Sequence, residues 1–203
     1  MVLVIQIVVV ILLRPLFVLL YRPCIDGGGL VSNEFDRPVL FVANHSSYVD
    51  AFLTVLLPLR VFRKVLPVYY PTASLYMSKW YYRWILTPIG AYTIHRWSAS
   101  LEEYMKQTIE HVVQNRTVLL FPEGKRVLDG SRPSGRSGIG LLRNASKDLH
   151  IIPIRIKFIK TKFWPFPKLH MTVGSEIQTR VEGSTQDDYR IFTNKILDEI
   201  YSL

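Results

Sequence analysis

His45 and Asp50 are separated by four residues, and the stretch Val42–Asp50 that contains them comes directly after the apolar run Pro38–Phe41. A neutral imidazole can take a proton from an attacking hydroxyl group, and a nearby carboxylate can fix its tautomer and stabilise the imidazolium. Residues at this spacing lie on different faces of a helix, so the side chains meet only if the chain turns between them. We therefore predict that His45 lies in a turn after a strand and that Asp50 lies in the first turn of a following helix.

No serine or cysteine in a nucleophile-elbow pattern accompanies this pair. The pair therefore favours direct transfer to an acceptor hydroxyl over a covalent enzyme intermediate. Asn44, Ser46 and Ser47 are turn and cap residues, and they suit the predicted strand–turn–helix arrangement. The alternative is a surface histidine that lies near an aspartate by chance.

A second charged group follows the apolar run Val118–Phe121. Glu123, Lys125 and Arg126 lie in the Pro- and Gly-containing stretch after this run. Open α/β sheets place ligand sites beyond the carboxyl ends of their strands. Guanidinium and ammonium groups on a glycine-rich loop suit an anion such as phosphate. The alternative is a solvated basic loop.

Two other stretches combine an apolar strand pattern with an unusual residue. Gly90–Arg96 ends in the cation Arg96, and Ile151–Ile156 contains Pro153. The alternative for Arg96 is an exposed surface cation. The alternative for Pro153 is an edge strand or the start of a strand, where a missing N–H group is tolerated.

Strand patterns and helix patterns alternate along the chain. The predicted strands are Pro38–Ala43, Val65–Tyr70, Ala91–His95, Val118–Phe121, Ile151–Ile159 and Leu169–Val173. The predicted helices are Tyr48–Leu57, Ser98–Asn115 and Asp187–Tyr201, and a glycine-rich loop is predicted over Gly124–Gly140. This alternation predicts an α/β fold with a mostly parallel central sheet flanked by helices.

The segment Val2–Tyr21 is apolar apart from Gln6 and Arg14. Its length is close to the roughly 20 residues that a spanning helix needs. We predict a membrane anchor over residues 1–22, which spans once or lies in the interface, followed by one globular domain over residues 30–203. The glycine-rich stretch Asp26–Gly29 separates the two. The alternative for the apolar segment is a buried core helix.

Two features after the anchor bear on its surroundings. Arg22 and the many later Lys and Arg residues predict that the domain lies on the cytoplasmic face of the membrane. If the protein is bacterial, this membrane is the plasma membrane. The stretch Leu75–Leu86 contains five large aromatic residues. They fit either a protein core or an aromatic belt at the level of the lipid headgroups.

The chain has 25 Lys and Arg residues against 16 Asp and Glu residues, a net charge of +9. This excess predicts an anionic partner, namely nucleic acid, a membrane surface or a phosphorylated substrate, with a merely solubilising charge as the alternative. No nucleic-acid partner is expected, because no helix-turn-helix, zinc-finger or RNP pattern occurs. No metal is expected either, because the five histidines lack metal-ligand spacing and the single Cys24 builds no cysteine-based zinc site.

Four short blocks, in this order, resemble the glycerophospholipid acyltransferases of the PlsC type, the 1-acylglycerol-3-phosphate acyltransferases. The blocks are Asn44-His45-x-Ser47-x-x-Asp50, Gly90–Arg96, Phe121–Gly124 with Arg126, and Ile152-Pro153-Ile154. The resemblance covers Arg37–Val173. It implies acyl transfer from an acyl thioester, acyl-CoA or acyl carrier protein, to the hydroxyl group of lysophosphatidate or a related acceptor at a membrane.

The resemblance also implies a role for each matching residue. His45 would be the general base, and Asp50 would orient it. The acceptor-phosphate site would consist of Arg96, Glu123, Gly124, Lys125 and Arg126. Within that site Glu123 and Gly124 would shape the pocket, with Glu123 reaching the glycerol or a cation as a further role. Pro153 would lie on the acyl-donor side, and no cofactor is implied beyond the thioester co-substrate.

The chain departs from the family pattern at two positions. Lys125 stands where the family commonly has Thr, and Val127 stands where it has Ser. The added cation leaves other acceptors open, namely glycerol 3-phosphate, another lysophospholipid, or a lipid-linked sugar or amine. A non-catalytic lipid-binding protein is the remaining alternative.

Overall fold

The computed structural model describes residues 1–27, 39–95, 98 and 100–203. Within these ranges the strands are β1 (Cys24–Asp26), β2 (Val39–Ala43), β3 (Val68–Ala73), β4 (Ala91–Ile94), β5 (Thr117–Leu120), β6 (His150–Ile159) and β7 (Lys168–Val173). The helices are α1 (Val2–Tyr21), α2 (Leu59–Val65), α3 (Ser74–Met77), α4 (Trp80–Leu86), α5 (Leu101–Val113), α6 (Gly138–Ala145) and α7 (Gln186–Ser202). Two 3-10 helices cover Asp50–Leu56 and Thr87–Ile89.

The described strands form one sheet in the order β1-β7-β6-β2-β5-β3-β4. Every neighbouring pair in it is parallel except β6 and β7. All five residues of the central strand β2 are buried, as expected for a parallel strand covered on both faces. The predicted α/β fold with a mostly parallel sheet flanked by helices is confirmed.

Apolar side chains pack on both faces of the sheet. On one face Phe41 and Leu119 pack with α1 and the 3-10 helix Asp50–Leu56. On the other face Leu40 and Val118 pack with α5, α6 and α7. Consecutive residues of β2 and β5 thus point to opposite layers, which explains the continuous apolar runs in their sequences.

Some predicted boundaries are wrong. Residues 65–70 were expected to form one strand, but Val65 ends helix α2 and strand β3 begins only at Val68. The segment expected as a helix over Tyr48–Leu57 is a shorter 3-10 helix, Asp50–Leu56. The predicted strand start at Pro38 and the predicted domain start at residue 30 lie outside the described residues.

The first three residues of helix α6, Gly138–Gly140, were expected to belong to the glycine-rich loop Gly124–Gly140. Gly140 is nevertheless required there, since a Cβ atom at this position would lie 2.4 Å from the Cα atom of Tyr189 on α7. The glycine thus allows the two helices to pack closely rather than breaking the helix.

Pro153 lies inside strand β6, which is an internal strand of the sheet. The alternative of an edge strand or a strand start is therefore wrong for this residue.

Helix α1 covers the predicted apolar segment and, by length and composition alone, is the one described helix that could cross a membrane. One face of it packs on the rest of the chain through Val10 and Phe17. Its two polar residues lie on the same side. Gln6 bonds to the backbone of Val68 and Ile89, with distances of 2.6 to 3.0 Å.

Arg14, in the middle of α1, has a defined partner in the domain. Its Nη1 atom donates to the carbonyl oxygens of Val55 and Leu57, each at 2.8 Å. These carbonyls lie at the end of the 3-10 helix, where backbone acceptors lack helical partners. Arg14, the charged residue that interrupts the apolar segment, therefore caps the C-terminal end of the 3-10 helix Asp50–Leu56.

Candidate active site

The candidate site forms where β2 and β5 end side by side. Asn44, the first residue after β2, pairs with the backbone of Ile156 on β6. Its Nδ2 atom donates to the Ile156 carbonyl at 2.9 Å, and its Oδ1 atom accepts from the Ile156 N–H group at 2.6 Å. The side-chain amide of Asn44 thus takes the place of the next backbone hydrogen bonds between β2 and β6. It fixes the residue at which the chain turns away from the sheet.

His45 and Asp50 meet across this turn. His45 Nδ1 lies 3.0 Å from Asp50 Oδ2, and the same oxygen accepts the backbone N–H groups of Ser46 and Ser47 at 2.6 Å each. The carboxylate is completely buried, whereas the imidazole is 21% exposed. The predicted contact between the two side chains is confirmed. Because Asp50 accepts at Nδ1, the Nε2 atom is the ring nitrogen left to take a proton.

Phe121 fixes the plane of the imidazole ring. Its ring stacks on His45 with the centroids 4.1 Å apart and an angle of 16° between the planes. Phe121 directly follows β5, and His45 lies just beyond the neighbouring parallel strand β2. The apolar residue before the second charged group therefore belongs to the site itself.

Glu123 is only 2% exposed and contacts the backbone of His45. Its Oε2 atom accepts the backbone N–H group of His45 at 3.1 Å. Its Oε1 atom lies 2.8 Å from the hydroxyl oxygen of Tyr201, which also lies 2.9 Å from the carbonyl oxygen of Ser131. Burial raises the pKa of the Glu123 carboxyl group, although the hydrogen bonds and the nearby cations oppose this rise.

Two residues of this network were not predicted. Tyr201, in the last turn of α7, is 78 positions from Glu123. Arg155, on β6, places its guanidinium group over the Tyr201 ring at 3.7 Å. Both residues lie in elements that the sequence did predict, but no local pattern indicated that their side chains reach the end of β5.

The basic loop after β5 lies against the His45 turn. Arg126 places its guanidinium carbon 3.2 Å from the centre of the Tyr48 ring, and the N–H group of Val127 donates to the His45 carbonyl at 2.7 Å. Gly124 has a φ of +66°, and its N–H group closes a turn onto Phe121 at 3.1 Å. The structure thus brings Gly124 and Arg126 beside His45.

The remaining predicted site residues are placed as follows. The side chain of Lys125 is exposed on the same loop. Pro153 pairs with Val42 near the end of β2, and its carbonyl accepts from the Gly174 N–H group at 2.9 Å, beyond the last paired residue of β7. Its ring nitrogen therefore faces the position where the pairing of β6 with β7 ends. The missing N–H group of proline thus removes no hydrogen bond between these two strands. Arg96 lies outside the described residues.

One group of metal-ligating residues occurs in the described part of the chain. Cys24 and Asp26 of β1 and His170 of β7 place their ligand atoms within 4.8 Å of one another. His170 Nε2 and Asp26 Oδ2 already form an ion pair at 3.0 Å. The group lies on the edge strand β1 and its neighbour β7, and β6 separates these two strands from β2.

The fold and the site define an α/β protein with an imidazole–carboxylate pair at the carboxyl ends of parallel strands. The sequence model of the Acyltransferase family matches residues 28–157, and the chain belongs to this family. The solved structure of the 1-acyl-sn-glycerophosphate (LPA) acyltransferase PlsC from Thermotoga maritima is similar. It has 18% sequence identity and a TM-score of 0.59, covering 89% of this chain and 70% of that chain. The two proteins share their fold, and the resemblance to the PlsC type is confirmed.

Proposed function

We propose that this acyltransferase moves a fatty acyl group from acyl-CoA or acyl carrier protein to the free hydroxyl group of 1-acylglycerol 3-phosphate, forming phosphatidic acid. The observation that carries the proposal is the 3.0 Å contact between His45 and the buried Asp50, beside the basic loop. This pair lies within the segment that matches the family.

In the proposed reaction His45 Nε2 takes the proton of the acceptor hydroxyl group. The oxygen attacks the thioester carbonyl carbon, the new C–O bond forms and the C–S bond breaks. The departing sulfur then receives the same proton from the imidazolium, so that a free thiol is released. Asp50 stabilises the imidazolium between the two proton transfers, as a buried carboxylate does in related pairs. No covalent enzyme intermediate is needed.

The acceptor phosphate is proposed to bind at the basic loop. The Tyr48 ring holds one face of the Arg126 guanidinium group, and the N–H groups at the guanidinium edge remain suited to phosphate oxygens. Lys125 supplies a second, exposed cation. Arg96 is assigned here from the family resemblance alone.

The membrane attachment proposed for this enzyme is an in-plane helix. From Gln6 to Tyr21, α1 lies along the domain, because Gln6 bonds to Val68 and Ile89, and Tyr21 packs on Phe158 and Phe166. A spanning helix would lose these contacts and would expose two polar side chains to hydrocarbon.

The outer face of α1 is suited to lipid. Its exposed residues are Leu3, Val4, Ile7, Val8, Ile11, Leu12, Pro15, Leu16, Val18 and Leu19. Helix α4 adds the exposed rings of Trp80 and Trp84 and leads into the 3-10 helix whose Ile89 carbonyl accepts from Gln6. The two apolar surfaces are therefore neighbours. The positive net charge is proposed to hold them to the anionic lipids of the cytoplasmic face.

The test of the reaction is acceptor-dependent thiol release from a long-chain acyl-CoA by the purified full-length protein. The acceptor is lysophosphatidate, glycerol 3-phosphate or none, and the variants are His45→Ala and the matched control His170→Ala at the β1 edge. We expect release with lysophosphatidate in the wild type and in the control, and none in His45→Ala. Greater release with glycerol 3-phosphate would reassign the acceptor, and no release with acyl-CoA or acyl carrier protein would refute the reaction.

A further inference from the structure

Both oxygen atoms of Glu123 are engaged by the protein itself. Oε2 accepts the His45 N–H group, and Oε1 contacts the Tyr201 hydroxyl. With 2% exposure, the carboxyl group has no open edge for a substrate hydroxyl or a cation. Glu123 therefore links the end of α7 to the backbone of the residue that carries the imidazole.

The hydrogen atoms in this network can be counted. The hydroxyl oxygen of Tyr201 lies 2.8 Å from Glu123 Oε1 and 2.9 Å from the Ser131 carbonyl oxygen. A phenol has only one hydrogen, so it can donate to only one of them. Both contacts are hydrogen bonds if Glu123 carries a proton and donates it to Tyr201, which then donates to Ser131.

We propose that Tyr201 is a positioning residue for acyl transfer, which acts through Glu123 to hold the backbone of His45 in place. The proposal rests on the function proposed above, because it assumes that His45 is the base. Tyr201 lies outside residues 28–157, the segment that matches the family. In this protein the C-terminal helix α7 thus takes part in placing the base.

Arg155 shows how the tyrosine ring is held. Its guanidinium carbon lies 3.7 Å from the centre of the Tyr201 ring. Its Nε and Nη1 atoms are buried and make no hydrogen bond to any residue that the structure describes. Replacing Tyr201 with Phe keeps this stacking and removes only the hydroxyl group.

Tyr201→Phe is compared with Tyr189→Phe, which is a matched control on the same helix. The Tyr189 hydroxyl accepts from Asn144 Nδ2 at 3.0 Å and belongs to the α6–α7 contact. We expect Tyr201→Phe to lower kcat about three- to tenfold, the effect of one lost hydrogen bond, with both KM values within about twofold. Tyr189→Phe should leave kcat unchanged. Equal kcat values in the two variants would overturn the proposal, as would a raised KM in Tyr201→Phe with kcat unchanged.

Glu123→Gln separates hydrogen bonding from charge. The Gln oxygen can accept from the His45 N–H group and its amino group can donate to Tyr201, as the protonated carboxyl would. We expect Glu123→Leu to lower kcat at least as much as Tyr201→Phe, and Glu123→Gln, which keeps both hydrogen bonds, to lower kcat less than Glu123→Leu does. In the Glu123→Leu background Tyr201→Phe should have no added effect. A kcat as low in Glu123→Gln as in Glu123→Leu would show that these two hydrogen bonds do not hold His45 and would overturn the positioning role.

A readout that needs no turnover separates this proposal from the proposed function. Hydrogen exchange at the His45 N–H group, followed in protein labelled with 15N-histidine, should accelerate in Tyr201→Phe and not in Tyr189→Phe. Unchanged exchange in Tyr201→Phe would refute the positioning role even if the wild type is active. Absence of thiol release in the wild type would refute the proposed function. The exchange result would still show whether Tyr201 holds the His45 backbone through Glu123.

Discussion

Asp50 holds His45 in two ways, by a direct contact with the imidazole ring and by hydrogen bonds that close the backbone turn between the two residues. Its Oδ2 atom lies 3.0 Å from His45 Nδ1 and also accepts the backbone N–H groups of Ser46 and Ser47. The aspartate thus shapes the turn and orients the imidazole with the same oxygen. A substitution that keeps an oxygen acceptor but removes the charge separates these two roles.

Asp50→Asn is expected to lower kcat by about a thousandfold or more, because an amide does not stabilise the imidazolium that forms during proton transfer. The Asn oxygen can still accept backbone N–H groups, so the protein should remain folded. Thermal unfolding checks the fold, and thiol release checks kcat. Asp187→Asn, which removes an exposed carboxylate on α7, is the control and should retain full activity. A kcat within tenfold of the wild type would contradict the orienting role.

Arg126 depends on Tyr48 for its orientation, since the ring lies 3.2 Å below the guanidinium carbon. Arg126→Lys should raise the KM of the acceptor about tenfold with kcat little changed, because an ammonium group neither stacks nor binds phosphate through two parallel hydrogen bonds. Tyr48→Leu should raise the same KM about two- to fivefold. Tyr48→Phe keeps the ring and should leave the KM unaltered. Initial rates at varied acceptor concentration give these values, and an unchanged KM in Tyr48→Leu would rule out the supporting role of the ring.

The lowered pKa of His111 predicts that the free energy of unfolding depends on pH. This effect is separate from catalysis. The His111 ring stacks on Tyr69 and makes a tilted contact with Tyr92, and Arg116 Nη1 lies 3.2 Å from its Nδ1 atom. Burial, and then the Arg116 charge, lower the pKa of His111 to about 4 in the folded protein. In the unfolded chain the pKa of histidine is about 6.5, so the unfolded state binds a proton first as the pH falls. Stability present above pH 6.5 is therefore lost as the pH falls toward 4.

His111→Phe keeps an aromatic ring and removes the titration. The free energy of unfolding of the wild type should fall between pH 7 and pH 4.5 by roughly 1–2 kcal/mol more than that of His111→Phe. This range is below the full conversion of the shift, because the half-buried ring is partly screened by solvent. Urea unfolding at both pH values measures the difference. Parallel pH dependence in the two proteins would contradict the assignment to His111.

The sequence predicted the local part of the site. Strand ends, turn residues and cap residues are close neighbours in the chain, so the strand–turn–helix arrangement around His45 and Asp50 follows from short-range chemistry. The parallel sheet follows in the same way, because the alternation of strands and helices is itself a local pattern. Together these put the second charged group, after β5, beside His45.

The long-range part of the site could not be predicted in this way. The contact between Tyr201 and Glu123 depends on where α7 ends relative to β5, which is a property of the whole topology. Arg14 was expected only as an interruption of the apolar segment, because its backbone acceptors lie more than 40 positions away. Helix α6 was missed for a different reason, since Gly140 indicates a loop unless its contact with Tyr189 is known.

The proposed in-plane position of α1 predicts on which side of the membrane the N-terminus lies. In a Cys24→Ser background, one cysteine is placed in a short N-terminal extension and, in a second protein, Ser184→Cys marks the exposed loop before α7. An impermeant maleimide is added to inside-out vesicles from the expression host. Both cysteines should react without detergent, because a helix that lies along the domain leaves its two ends on the same side. A spanning helix would protect the N-terminal cysteine until detergent is added while the Ser184→Cys thiol reacts at once, and that result would overturn the in-plane arrangement.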